Sequence, residues 1–353
     1  MKKLLSLLLA LAMLLTLAGC AVQISPPKPL ETRTFTDSCS RTVQIPAQIT
    51  KVAVSGTMAQ MLVFALAPDT LAGVAGKWDE RARDYLDEKD YALPVLGHLY
   101  GGKGELNLET LLASGAQVVI DVGEAKDGIA DDLDRLSAQT SIPFVHIAMT
   151  TDTMGDAFRT LGELLGTEDA AEELAVYCER VYARAKEIAA SVEKVSLLYC
   201  LGTSGLSVIA KDSYQSELID LLADNCAVVD AASAKGTGSE ADMEQFLLWN
   251  PDVILFAPDS IYDTVADDPV WRQLTAIREG RYYEVPFGPY NFMGFPPSVQ
   301  RLAGMLWLPK LLYGDAADYD LQSELTEFYE RFYHCSLTDG QYRALTKNSI
   351  GES

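Results

Sequence analysis

Histidine is scarce in this 353-residue chain, with only His98, His146 and His334. None sits in an HExxH or comparable ligand spacing, and no CxxC occurs, so no structural metal is expected. The GxSxG elbow of serine hydrolases and the GxxxxGK[ST] phosphate loop are also missing. Gly101-Gly102-Lys103-Gly104 is glycine-rich, but it does not join a strand to a helix as a dinucleotide fingerprint does. Basic residues are few, 28 Lys plus Arg against 50 Asp plus Glu, giving a net charge of −22. Phosphate binding needs clustered Lys and Arg, so a nucleic-acid partner is excluded. These absences leave an enzyme, including an extracellular metal-dependent one, without its tools, and no cofactor is expected.

What the chain does contain begins at its N-terminus. Lys2 and Lys3 precede an apolar stretch over residues 4–17, closed by Leu17-Ala18-Gly19-Cys20. The stretch is shorter than the roughly 20 residues of a spanning helix, and its flanks are those of a secretory signal. Leu-Ala-Gly-Cys resembles the bacterial lipoprotein cleavage motif, which implies removal of residues 1–19 and lipidation of Cys20. The mature charge would be −24, and residues 20–32, with Pro26, Pro27 and Pro29, read as an extended tether. An acidic chain gains nothing from anionic lipid, so the anchor is the expected membrane attachment. Cys39, Cys178, Cys200, Cys226 and Cys335 remain, an odd number, which leaves at least one unpaired if all pairing is internal.

Hydrophobic content of 48% and 22% charged residues describe a folded chain, and its length suggests about two domains. Residues 34–37 and 42–45 read as a hairpin. Strand and helix signals then alternate at 51–55, 57–66, 71–75, 79–88, 94–96, 107–113, 118–121, 129–139 and 144–147, the mark of a parallel sheet with covering helices. Strand signals vanish between 153 and 191, where a helix ends at Gly166. A second helix without Gly or Pro follows, about 30 Å long. Alternation resumes at 195–201, 206–210, 216–223, 243–249, 253–256, 271–277 and 281–285, followed by a helix over 298–312.

The expected fold is therefore α/β: two Rossmann-like lobes of parallel sheet and helices, residues 33–166 and 193–313. A single long helix over 167–192 joins them. A helical tail, 314–353, should pack on the second lobe. An internal repeat supports the two lobes. Asn107-Leu108-Glu109-Thr110-Leu111-Leu112 returns 135 residues later as Asp242-Met243-Glu244-Gln245-Phe246-Leu247, each followed by a strand.

Ligands of open α/β sheets sit beyond the carboxyl ends of the strands, and in a two-lobed chain those ends can face one cleft. The loops there carry Ser55, Thr57, Lys77, Trp78, Tyr100, Lys103, Thr203, Tyr290, Asn291 and Phe292. Aromatics and two Lys suit a bulky ligand with anionic groups. A weaker candidate is the loop with Lys235-Gly236 and Gly238-Ser239-Glu240. His146, inside a strand signal, reads as a buried imidazole.

Phe35-Thr36-Asp37 with Arg41-Thr42-Val43, Leu93-Pro94-Val95-Leu96-Gly97 before Asn107-Leu108-Glu109, Pro251-Asp252-Val253-Ile254 and Pro296-Pro297-Ser298 resemble one family. It is the solute-binding lipoproteins of ABC importers that carry ferric siderophores, haem, cobalamin and related metal complexes, the class III periplasmic binding proteins. Cys39-Ser40 and Gly115-Ala116-Gln117 depart from its usual residues. The resemblance implies a monomer that captures a ferric chelate and delivers it to a permease with its cytoplasmic ATPase, from the outer face of the cytoplasmic membrane or the periplasm. It also implies that Glu109 and Glu244 dock on permease arginines. Cobalamin, molybdate and tungstate are alternative cargoes. A stiff connecting helix implies little lobe motion on binding.

Overall fold

The computed structural model describes residues 31–99, 106–230, 233, 238–294 and 296–351. The leader, Cys20 and most of the tether lie outside the described residues. β1 (Thr32–Thr36) and β2 (Thr42–Pro46) form the expected antiparallel hairpin. In the first lobe β3 (Val52–Val54), β4 (Val118–Gly123) and β5 (Phe144–Ala148) make a parallel sheet in that order. β3 is wholly buried, and so is β4, because helices cover both faces. Residues 71–75 and 94–96 contribute only single bridges, Val52 to Leu71 and Val74 to Val95, rather than strands. The helix expected over 79–88 is instead a 3-10 stretch, Glu80–Asp84, capped by the Asp79 carboxylate.

The first-lobe helices are α1 (Thr57–Leu66), α2 (Leu108–Ser114), α3 (Ile129–Thr140) and α4 (Met154–Leu165). The connecting helix is α5, Glu168–Ser191, 24 residues long. In the second lobe β6 (Ser196–Leu201) pairs in parallel with β8 (Asp224–Asn225) and β10 (Val253–Phe256), and β10 with β11 (Tyr282–Glu284). Here the parallel expectation needs correction. β7 (Ser207–Val208) runs antiparallel to both β6 and β9 (Ser239–Glu240), because a tight turn at Gly202–Gly205 leaves no room for a crossover. The lobe's helices are α6 (Glu217–Leu222), α7 (Met243–Trp249) and α8 (Gln300–Tyr313).

The 135-residue repeat is structural. α2 and α7 are both seven residues long, and their N-caps bond the same position: Thr110 N donates to Asn107 Oδ1, and Gln245 N to Asp242 Oδ1, each at 2.9 Å. Both helices end on a left-handed residue, Gly115 and Asn250, before β4 and β10.

The tail contains α9 (Leu321–Tyr333) and α10 (Asp339–Thr346). It does not pack on the second lobe alone. Glu324 pairs with Arg184 of α5 at 2.6 Å, Phe332 meets Phe158 of α4, and Tyr333 meets Phe64 of α1. His334 Nε2 lies 3.0 Å from the Phe64 carbonyl, and Gln341 Nε2 donates to the Asp84 carbonyl at 2.6 Å. Only part of the tail serves the second lobe, as where Trp307 Nε1 donates to Ser349. The apolar stripe of α9, with Phe328, Tyr329, Phe332 and Tyr333, finds enough apolar surface only where the two lobes meet. One core cluster therefore runs from Val52 and Phe158 through α5 to Trp307 and Phe328. Smaller clusters fill the outer side of each lobe. The five cysteines within the described residues are all unpaired thiols.

Gly304, within α8, presses against the backbone of Phe292. A Cβ there would meet the Phe292 carbonyl oxygen at 2.1 Å. Gly304→Ala must separate helix and loop, so it is expected to cost about 3 kcal/mol, read as a lowered midpoint in urea unfolding.

Candidate functional site

Loops beyond the carboxyl ends of the two sheets meet where Thr151, after β5, bonds Arg301 and where Arg81 reaches Asp259, after β10, and one shared core runs beneath them. On the first-lobe side β3 ends at Val54, and Ser55 turns inward. Its side chain, 2% exposed, donates to one oxygen of Asp121 on β4, whose other oxygen lies 2.7 Å from His146 Nδ1 on β5. Ser55, Asp121 and His146 thus form a buried polar chain under three strand ends, and the Ser55 hydroxyl, read from sequence as a loop group facing ligand, is committed to Asp121 instead. His146 is buried as expected, and its Nε2 has no partner among the described residues.

Thr57 opens α1, and its Oγ1 lies 3.1 Å from His98 Nε2 at the half-buried rim. Burial lowers the His98 pKa, which keeps the ring neutral at pH 7. His98 had no visible partner in the sequence, because 41 residues separate it from Thr57. Lys77 is exposed, and the Cβ position of its neighbour Gly76 lies 3.0 Å from the His98 ring.

Trp78 is not an exposed aromatic. It is 2% exposed, donates from Nε1 to the Asp90 carbonyl at 3.2 Å, and packs on Phe64 and Tyr290 at 5.5 and 5.7 Å. Phe292 is wholly buried too, edge-on to Trp307, and Asn291 turns inward to donate to the Tyr199 hydroxyl at 3.2 Å. Aromatic residues in a loop read as surface from sequence, but here the loop runs over an apolar seam that absorbs them. Tyr290 is half-buried, and its hydroxyl accepts from Nε2 of the buried Gln60 at 3.4 Å. Thr203 is exposed at the end of β6. Tyr100, Lys103 and the Lys235-Gly236 part of the weaker loop lie outside the described residues.

Two arginines join the lobes. Arg81 pairs with Asp79 at 2.8 Å and crosses to Asp259 at 3.1 Å, with its guanidinium 3.6 Å from the Phe287 ring centre. The hydrogen bond from Arg81 holds the Asp79 carboxyl below its ordinary pKa. Arg301, 1% exposed, bonds Thr151 beyond β5, the Glu217 carboxylate and the Tyr214 carbonyl. Tyr214 in turn donates to the Met149 carbonyl at 3.3 Å, and burial pushes its own pKa up to about 12. Burial lowers the Arg301 pKa and Glu217 opposes the shift. A charge opening the apolar run over 302–309 of α8 was the sequence sign that it needs a buried partner. Among the described residues no cluster of three or more His, Cys, Asp or Glu could hold a metal ion.

Glu109 and Glu244 sit in the first turns of α2 and α7, both exposed. No helix among the described residues is long and apolar enough to cross a membrane.

Solved proteins share this fold. A solved ABC transporter solute-binding protein from Sulfurospirillum deleyianum superposes with a TM-score of 0.79 at 24% identity, over 89% of this chain and 99% of its own. The molybdate periplasmic binding protein MolA of Haemophilus influenzae, bound to molybdate, gives 0.70 at 20% identity, over 87% and 99%. In sequence, the Fe(3+)-citrate-binding protein YfmC of Bacillus subtilis is 22% identical over 188 residues, 52% of this chain and 58% of that protein. The chain thus spans little more than half the length of this curated relative. Residues 52–288, more than half of the chain, match the family described as Periplasmic binding protein, and the chain belongs to that family.

Proposed function

We propose that this protein is the extracytoplasmic solute-binding component of an ABC importer, which captures an anionic metal chelate of the ferric citrate kind and hands it to a membrane permease. Capture involves no covalent chemistry. The reading is supported by the family match together with exposed or half-buried polar side chains, Thr57, His98, Lys77, Thr203 and Tyr290, near strand ends of two lobes joined at Arg81–Asp259 and Arg301–Thr151. Both arginines are neutralised by carboxylates, and the chain carries −22 overall. An anionic ligand would therefore rely on Lys77 and on hydrogen-bond donors such as Thr57 and Thr203. Glu109 and Glu244 suit docking on basic permease side chains, and a lipid on Cys20 would keep the protein at the membrane.

A small oxyanion is the second reading. Burial of Trp78 and Phe292 removes two of the aromatics that favoured a bulky ligand, and the fold is shared with a molybdate-binding protein. Tryptophan fluorescence separates the two, because Trp78 packs on half-buried Tyr290. Ferric citrate, ferric hydroxamate and catecholate complexes, haem, cobalamin, molybdate and tungstate are titrated in turn. Saturable quenching by a ferric chelate is expected. Thr57→Ala and Lys77→Ala should each weaken it about 3–10-fold, the loss of roughly one polar contact. Saturation by molybdate or tungstate alone would select the oxyanion reading.

The shared core resists opening, so loading should rotate the lobes by a few degrees at most. A rotation of tens of degrees between free and loaded forms, by small-angle scattering or crystallography, would contradict this. Cys20→Ser should release the protein from the membrane fraction in cell fractionation; an unchanged distribution would dismiss the anchor.

A further inference from the structure

A folded surface ordinarily scatters its exposed apolar side chains. Here five of the seven large ones among the described residues gather at the two repeated helices. Leu112 of α2 is 53% exposed, and Leu247 and Leu248 of α7 are 39% and 79% exposed. Leu112 and Leu247 are related by the same 135-residue step as Glu109 and Glu244, and each lies one helical turn beyond its Glu, on the same face. Val95, 47% exposed, adjoins α2, since the carbonyl of its neighbour Leu96 accepts from Asn107 N at 2.8 Å. Val228, 66% exposed, lines a hollow with Asp242 and Gln245 of α7.

Stabilising a helix start accounts for a Glu at these positions but not for a leucine in water one turn later. The pairing occurs twice, at equivalent places in two lobes that otherwise differ in sheet topology. Neither Glu109 nor Glu244 has a hydrogen bond or ion pair among the described residues. A second copy of this chain would set acidic surface against acidic surface at −22 net charge, and anionic lipid would be repelled in the same way. The complementary partner is basic and offers the same socket twice.

We propose that Leu112 and Leu247, the latter extended by Leu248, are matched apolar knobs that seat in recesses beside the basic groups of two equivalent permease halves. The inference rests on the importer reading and adds to it that the carboxylates steer encounter while the leucines hold the complex. Charges at an interface rim act mainly on association, and buried apolar contacts on dissociation.

The test uses the lipid-free mature protein, ligand-loaded, over the importer's permease–ATPase complex in nanodiscs, with empty nanodiscs as the blank. Leu112→Ser and Leu247→Ser should each speed dissociation about 10-fold, and the double variant about 100-fold because the sites are independent. Cleft affinity and melting temperature should not change. Glu109→Gln and Glu244→Gln should instead slow association and flatten its salt dependence. If serine unfolds either short helix, Leu112→Ala and Leu247→Ala replace it. Unchanged dissociation in the leucine variants, with weakened Glu variants, would overturn the knobs and leave the docking reading standing. Unchanged behaviour in both sets would overturn the docking reading as well. Loss of binding to empty nanodiscs, or of self-association in sedimentation, as the only effect of the leucine changes would assign the patch to lipid or to a second copy and overturn the proposal.

Discussion

Two lobes that share one apolar core cannot behave as two domains on a hinge. The seam is aromatic: Phe64, Trp78 and Tyr85 of the first lobe meet Tyr290 of the second lobe and Tyr329 and Tyr333 of the tail. The Gly288 carbonyl accepts from Tyr329 of the tail, and the Tyr85 ring occupies the space a side chain at Gly288 would need. Opening the cleft widely would expose these rings to water, at roughly 1.5–3 kcal/mol for each large side chain. The long helix contributes stiffness, but the tail contributes more by packing its apolar stripe on α1, α4 and α5 together.

That constraint shapes the cleft chemistry. Arg301 and Arg81 cross the seam with carboxylates in attendance, so the bridging charges are already compensated. A buried guanidinium left unpaired would be costly, which is why Glu217, Thr151 and Tyr214 converge on Arg301. The same pairing takes Arg301 out of service as a free cation.

The order of strands and helices was legible because it rests on local signals. Apolar runs such as Val118-Val119-Ile120, the caps Asn107 and Asp242, and the stop at Gly166 each act within a few residues. The site was legible only in outline. Thr57, Lys77, Thr203 and Tyr290 keep exposed or half-buried side chains, while Ser55, Trp78, Asn291 and Phe292 turn inward. His98 and Arg301 were missed, because their partners lie 41 and as many as 150 residues away.

By itself, then, the sequence determined the alternation of elements, the long connecting helix and the repeat that places Glu109 and Glu244 alike, since periodicity and capping are short-range. Only the tertiary structure decided which loop side chains stay exposed and which fill the seam, where the tail lies, and that β7 runs against its neighbours. Those outcomes depend on what packs across a gap. Burial of a residue such as Trp78 is a property of Phe64 and Tyr290, which the chain brings to it from 14 residues before and 212 after.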